Sequence, residues 1–285
     1  MKQLSKVVML FVFFSLHTFA QDAAISPEKY TAHNKGKFFF YWGGNRAHFS
    51  KSDITFRGDN YNFTIKDVEA HDKPKGYHID YLNPARMTIP QTNFRMGYYI
   101  NDHYNISIGV DHMKYVMNQY QTVNMDGQIN LPADAEGAAF NGNYNNSPMV
   151  MTPEFLAFEH TDGLNYVNIE IARVDDISTK LFNWDSDKIQ INLTEAVGAG
   201  LLYPKTNAQV LGMERHDDFH VSGYGLSAKG GLNITFLKYF FVQGELKGGY
   251  INMQDIQTTH EGSDSAFQDF FFVQTNLVFG GIFRI

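Results

Sequence analysis

Two adjoining stretches hold residue types that could do chemistry. Glu214-Arg215-His216-Asp217-Asp218-Phe219-His220 packs imidazoles and carboxylates into one short segment. All are donors that a divalent cation accepts, but their spacing matches no known metal site, and a solvated loop top accounts for them equally well. No metal is assigned. His220-Val221-Ser222 then sets an imidazole beside a hydroxyl. That pair becomes a base-activated nucleophile only if a third group orients the ring. The carboxylate on offer is Glu245, which falls opposite about Gly231 if the intervening turn centres on Lys238. It then sits many residues below Ser222, too far to hold the imidazole. No catalytic residue and no cofactor are assigned. His48 and His112, near strand ends, read as structural.

The remaining charges of interest recur on the polar faces of alternating segments: Arg46, Arg95, Asp111, Glu170, Lys229, Glu245 and Lys247. If those faces line a barrel of about eight strands, the interior is only wide enough for side chains. An unpaired ion there costs several kcal/mol, so the group is expected to pair into a self-neutralising plug. An ion channel would favour one sign of charge along its pore, and here the signs are mixed.

Alternating segments must position these groups. The last, FQDFFFVQTNLVFGGIFRI (Phe267 to Ile285), is the clearest. Phe271, Val273, Thr275, Leu277, Phe279, Gly281, Phe283 and Ile285 interleave with Phe272, Gln274, Asn276, Val278, Gly280, Ile282 and Arg284. A period of two with an apolar outer face and an amide-bearing inner face marks a transmembrane β-barrel strand. Earlier segments repeat it. Thr92 to Asn101 and Tyr104 to Met117 flank the break Asn101-Asp102-His103; Leu164 to Val174, Ile189 to Tyr203, Val221 to Phe236 and Phe240 to Met253 follow. In the first candidate, Lys37 to Ser50, the even positions Trp42, Gly44, Arg46, His48 and Ser50 are expected inward, with Phe39, Tyr41, Ala47 and Phe49 outward; Asn45 then lies on the wrong face. Glu195 falls on the lipid face. A carboxylate there is expensive, so either a β-bulge shifts the register or the facing is off by one.

Ile54-Thr55-Phe56 and Tyr61 to Ile65 flank the turn signal Gly58-Asp59-Asn60, a hairpin expected to stand above the membrane. Lys51–Gln91 and Asn118–Thr161 otherwise read as long extracellular loops, the second without sustained period. The sum is an all-β chain: about eight antiparallel transmembrane strands closed into a barrel with long extracellular loops. Closure is required because an open edge would leave backbone groups unpaired in hydrocarbon.

The address agrees. Residues 1–20 read as a secretory signal peptide, with Lys2 and Lys6 ahead of the apolar run Val7 to Phe14 and Thr18-Phe19-Ala20 before Gln21. Residues 21–285 are the expected barrel. No cysteine is present, which excludes disulfides, thiolate metal sites and a lipidated mature N-terminus. Beyond Gln21 no apolar run reaches the ~18 residues of a membrane-spanning helix. A formal charge of −7 makes nucleic acid a poor partner. The 25 Phe and 16 Tyr suit interfacial girdles.

SDITFRGDNYNFTIKDVEAHDKP together with TNFRMGYYINDHYNISIGVDHMKYVM resembles a group of uncharacterised outer-membrane β-barrel proteins of Bacteroidota-type bacteria, broadly similar to small OmpW/OmpX-like barrels. The resemblance covers most of the chain after residue 20 and implies an eight-stranded barrel without enzyme activity. His220-Val221-Ser222 also resembles the His-x-Ser pair of the lipid A deacylase barrels, but the glutamate of that family does not follow. The chain ends in Ile285 where such barrels end in an aromatic; Phe283 lies two residues earlier on the same face.

The leading expectation is a non-enzymatic integral protein of the bacterial outer membrane, its loops serving surface interaction or small-ligand capture. Outer-membrane lipid, lipopolysaccharide and the barrel assembly machinery are the expected partners. The second reading is an OmpW-like conduit for small hydrophobic molecules, with Trp42, Met113 and Tyr115 forming an apolar upper-lumen pocket. The third is a lipid A-modifying enzyme.

Overall fold

The alternating segments fold as strands, and the strands close on themselves. In the computed structural model, which describes residues 33–76, 78–82, 90–182, 187–213 and 218–284, fourteen strands follow in order. They are β1 (Lys37–Phe49), β2 (Ser52–Gly58), β3 (Tyr61–Val68), β4 (Ala70–Asp72), β5 (Thr92–Tyr99), β6 (Tyr104–Met117) and β7 (Thr122–Ile129). Then come β8 (Gly142–Val150), β9 (Leu156–Asp176), β10 (Ile189–Leu202), β11 (Asn207–Val210), β12 (Gly223–Phe236), β13 (Phe240–Gln257) and β14 (Ser265–Arg284). The neighbours β1-β5-β6-β9-β10-β12-β13-β14 return to β1 through a β1–β14 pairing from Lys37↔Arg284 to Phe49↔Phe272. That cycle leaves no edge. Every pairing described is antiparallel.

Above the ring the sheet continues. β14 passes from β1 to β2 at Gln268↔Ile54, and β3, β7 and β8 extend the sheet outward. β11 adds to the upper end of β9, and β4 to the upper end of β6. The expectation of about eight strands therefore undercounts the sheet, and the two stretches expected as long loops hold β2, β3 and β4 in the first and β7, β8 and the start of β9 in the second. The hairpin read at Ile54–Ile65 is present as β2 and β3. β9 starts at Leu156, eight residues before the expected Leu164, so the second stretch also supplies wall.

Two chemically different interiors result. Around the ring, Ile106, Ile169, Val197, Leu226, Leu246 and Leu277 point out and are exposed, while amides, hydroxyls and charges fill the inside. Above it the rule reverses: Ile54, Phe56, Phe63, Met125, Phe155, Phe158 and Phe270 bury one another in an apolar core continuous with the top of the lumen. Burial without a second protein layer on the ring, and with one above it, is the physical division of the molecule.

The facing of β1 is a correction. Phe39, Tyr41, Asn45 and Ala47 are buried inside, and Trp42, Gly44, Arg46 and His48 lie outside. Cross-strand partners share a face, so β14 decides the matter: Tyr41↔Gly280, Asn45↔Asn276 and Ala47↔Gln274 join the polar inward set. Glu195 does point outward, without a bulge; its pairing partner on β9 is Arg173, also exposed, so the carboxylate has a cationic neighbour near the lower rim. Residues 1–20 and Ile285 lie outside the described residues. No helix among the described residues is long and apolar enough to cross a membrane, which says nothing of strands.

Candidate functional site

Six of the seven expected lumen charges meet in one layer. Glu170 on β9 is the hub: Oε1 lies 2.9 Å from Arg95 Nη2 and 2.8 Å from Lys247 Nζ, and Oε2 lies 2.9 Å from Lys229 Nζ. Lys229 also reaches Glu245 at 2.8 Å and donates to the Tyr41 hydroxyl at 2.8 Å, while Tyr41 donates to Glu245 at 3.1 Å. Lys247 closes the other side on Asp111, which accepts from Asn168 Nδ2 at 2.9 Å. Arg95 completes the layer through Ser107 at 3.2 Å and Asn168 at 2.6 Å. Gln243 and Asn276 donate to the two oxygens of Glu245 at 2.6 and 2.9 Å. The six come from five strands, β5, β6, β9, β12 and β13, each delivering its charge because an inward position recurs every second residue.

Arg46, the seventh, is not among them. On the outer face of β1 its Nη1 donates to the Asn45 carbonyl at 2.7 Å and to the Tyr81 hydroxyl at 3.3 Å. Its departure leaves three cations facing three anions, so the layer is formally neutral. Charges this deeply buried must be compensated, and here each has at least one opposite partner.

The lumen is filled on both sides of this layer. Below it a cavity of about 40 Å³ is bounded by Tyr41, Asn105, Asn192, Asn233 and Gln243, room for a few waters. Above it Tyr166 covers Lys247, whose Nζ stands 5.1 Å from the ring centre, and Phe272, Phe270 and Tyr115 carry the stack into the upper core. Met113 and Tyr115 are fully buried there, Tyr115 against Phe49 and Phe270, with its hydroxyl 3.3 Å from Ser52 Oγ. Trp42 is outside the ring, its side chain against Phe40 and Phe279. The three residues expected to line one upper pocket therefore do not meet. Trp42 could not have been placed without the facing of β1.

His160, which sequence reasoning passed over, is fully buried in the upper core, above the belt of outward aliphatics. Its Nδ1 meets Thr206 Oγ1 at 2.8 Å, and Phe158 and Tyr115 pack on its ring. Burial pushes its pKa down to about 4. No local sequence signal marks it, because the strand pairings that enclose it lie far away in the chain.

Among the described residues the wall is interrupted once beside β1. β5 follows β1 only up to Gly44↔Thr92, while β4 runs beside β6 above it, ending at Asp72↔Tyr115. One side chain and one backbone carbonyl replace the missing ladder: Asp72 Oδ2 accepts from the Ala47 amide at 2.9 Å, and the Gln91 backbone carbonyl accepts from the Asn45 amide at 3.2 Å. Gln91 Nε2 donates to Asn45 Oδ1 at 2.7 Å. Tyr81, from the stretch between β4 and β5, lies on the outer face of Gly44, where an added Cβ would meet its ring at 3.0 Å.

Of the metal candidates, 214–217 lie outside the described residues, and His220 Nε2 pairs with the Asp255 carbonyl at 2.5 Å. No group of three His, Cys, Asp or Glu that could hold a metal occurs among the described residues. Glu245 does pair with Gly231, eight residue pairs below Gly223 and about 31 Å from Ser222 at ~3.4 Å per residue. Glu245 is therefore no partner for the imidazole–hydroxyl pair; the carboxylate this strand does bring beside it is Asp255, whose Oδ2 lies 3.7 Å from His220 Nε2.

No family model matches the chain, and no curated protein matches it. Among solved structures it is similar to the outer membrane protein OprG from Pseudomonas aeruginosa, at 10% identity over 90% of this chain and 99% of that one, TM-score 0.41. It is also similar to the attachment invasion locus protein Ail of Yersinia pestis (9% identity, 86% and 99%, TM-score 0.29) and to Neisserial surface protein A (11%, 84% and 96%, TM-score 0.28). At these scores the likeness is distant, and the closed ring rests on the strand pairings themselves.

Proposed function

We propose that this chain is an integral, non-enzymatic protein of the bacterial outer membrane. In this reading an eight-stranded ring spans the bilayer with a sealed lumen, and a folded extracellular cap does the work. One observation carries the reading: exposed aliphatics belt the ring while a neutral set of ion pairs sits inside it. A soluble sandwich would place those groups the other way round. With the lumen filled, function falls to the cap, which ends in β8, a strand paired only with β7 among the described residues. A free strand edge can add a strand from a partner chain, and the neighbouring upper surface offers contacts for a surface partner or a small captured ligand.

Lipid, lipopolysaccharide and the barrel assembly machinery are the partners this placement implies. The conduit reading is weaker, since Trp42, Met113 and Tyr115 form no common pocket and side chains fill the route between them. The test is refolding after removal of residues 1–20. The reading expects a heat-modifiable species that needs detergent or lipid to stay monodisperse and gives no single-channel conductance in planar bilayers. A monodisperse product in plain buffer would overturn the membrane reading. Steady conductance, or saturable uptake of a hydrophobic probe, would replace the sealed barrel with the conduit.

A further inference from the structure

We infer that the groove between Tyr81 and the β1–β14 seam is a seat for one phosphate-bearing lipid of the outer leaflet, with the Arg46 guanidinium holding the phosphate. This inference rests on the membrane reading above.

Four observations build it. First, the groove has a volume of about 600 Å³ and is lined by Arg46, His78 and Tyr81 on one side and Leu277 and Phe279 on the other. Its lining contains a guanidinium and an imidazole and no carboxylate. The nearest acid of that stretch, Asp80, is buried and already taken by Lys75 at 2.5 Å and His78 at 3.0 Å.

Second, Arg46 is held but not satisfied. Nη1 bonds the Asn45 carbonyl and the Tyr81 hydroxyl, and the guanidinium lies 5.9 Å from the Tyr81 ring centre. Tyr81 is itself fixed, since its hydroxyl donates to the Lys75 carbonyl at 2.7 Å. Nε and Nη2 of Arg46 have no partner among the described residues. Two free N–H groups on a planar fork are the geometry that phosphate oxygens accept.

Third, the height fits. Arg46 is nine residues above Lys37, about 23 Å along the barrel axis at ~3.3 Å per residue and a tilt near 40°. Against an apolar band ~25 Å tall, the guanidinium sits where headgroup phosphates lie. Fourth, the wall below it is apolar and open: Leu277 is 65% exposed and leads into the outward belt. A free phosphate gains nothing from that wall, whereas an acyl chain does. Gly44 lets the Tyr81 ring lie this close to the strand: a Cβ there would stand 3.0 Å from the ring, which would have to give way by a few tenths of an ångström.

The experiment uses the full chain without residues 1–20, refolded in a non-ionic, phosphate-free maltoside detergent and examined by native mass spectrometry. Bis-phosphorylated lipid A is the titrant, and its enzymatically dephosphorylated form is the parallel arm. One retained lipid A per barrel is expected, with retention at least tenfold weaker for the dephosphorylated form and for Arg46→Gln. Arg46→Lys should recover part of it, since charge is kept and the fork lost. Arg173→Gln, an outward arginine at the opposite rim, should retain lipid like the parent. Each variant is first checked for heat-modifiable mobility, so that loss of folding is separated from loss of binding. Equal retention by the parent and Arg46→Gln, with both folded and detergent-dependent, overturns this inference and leaves the membrane reading intact. Displacement of the lipid by millimolar inorganic phosphate also overturns it, in favour of a free-anion site. A chain that needs no detergent brings down the membrane reading itself.

Discussion

Replacing Lys229 by methionine is the sharpest test of the lumen. Lys229 is held by Glu170 at 2.9 Å, Glu245 at 2.8 Å and Tyr41 at 2.8 Å, and its side chain is 6% exposed. Methionine fills nearly the same volume, so the change is almost purely one of charge. Glu170 keeps Arg95 and Lys247, but Glu245 loses its only ion-pair partner among the described residues and retains Tyr41, Gln243 and Asn276. Three anions then face two cations where water cannot easily compensate. Breaking a buried pair by deleting one partner costs about 3–5 kcal/mol. The comparison is Leu226→Val on the outer face, which removes one methylene from an exposed position and should cost less than ~1 kcal/mol. The assay is reversible urea unfolding in lipid vesicles, followed by tryptophan fluorescence. Adding Glu245→Gln to Lys229→Met restores neutrality and should recover much of the loss, giving a clear coupling energy in the double-mutant cycle. If Lys229→Met costs no more than Leu226→Val, the ion pairs do not hold the lumen together and the reasoning fails.

Two further outcomes follow from the same structure. A Cβ on Gly43 would lie 2.1 Å from the Leu277 carbonyl oxygen and 2.6 Å from the Val278 Cα, both backbone. Gly43→Ala should therefore strain the closing β1–β14 seam by about 1–3 kcal/mol in the same unfolding assay. Gly244→Ala, which meets nothing within 4 Å, should be close to neutral; equal effects would refute the close approach. His160, depressed to about 4 by burial, stays neutral in the fold while the unfolded chain protonates below about pH 6.5. The unfolded state binds the extra proton between those values, so cap stability should fall by up to ~1.4 kcal/mol per pH unit as pH drops from about 6.5 to about 4. Hydrogen exchange of the cap strands should show this loss. His160→Gln should flatten the slope in that window, and an unchanged slope would rule His160 out as its source.

Period-two alternation was legible in β10, β12, β13 and β14, where lipid-type and lumen-type residues separate cleanly. Facing and interior charges could be read there without a structure, whereas Glu195 on the outer face was read as a bulge or a register error and is neither. The same signal misled in β1, because Tyr41 and Phe39 are aromatic yet inward, and Arg46 is charged yet outward. Tyr41 is needed inside as a hydrogen-bond partner of Lys229 and Glu245, and Arg46 stands at the upper rim beneath Tyr81. The cap was hidden for another reason. Its strands bury their apolar faces against partners distant in sequence, as when Phe56 meets Phe158 and Phe63 meets Phe155. Short runs rich in Asn and Gly look like loop until those partners are known.

Local alternation by itself determined that the chain is built of strands with a polar and an apolar face, since side-chain direction reverses at every residue whatever the neighbours. Only the tertiary structure decided which strands are neighbours. That choice turned Arg46 outward, made the inner charges balance, and converted two supposed loops into a core, because pairing across the sheet, unlike alternation along it, depends on residues far apart in the chain.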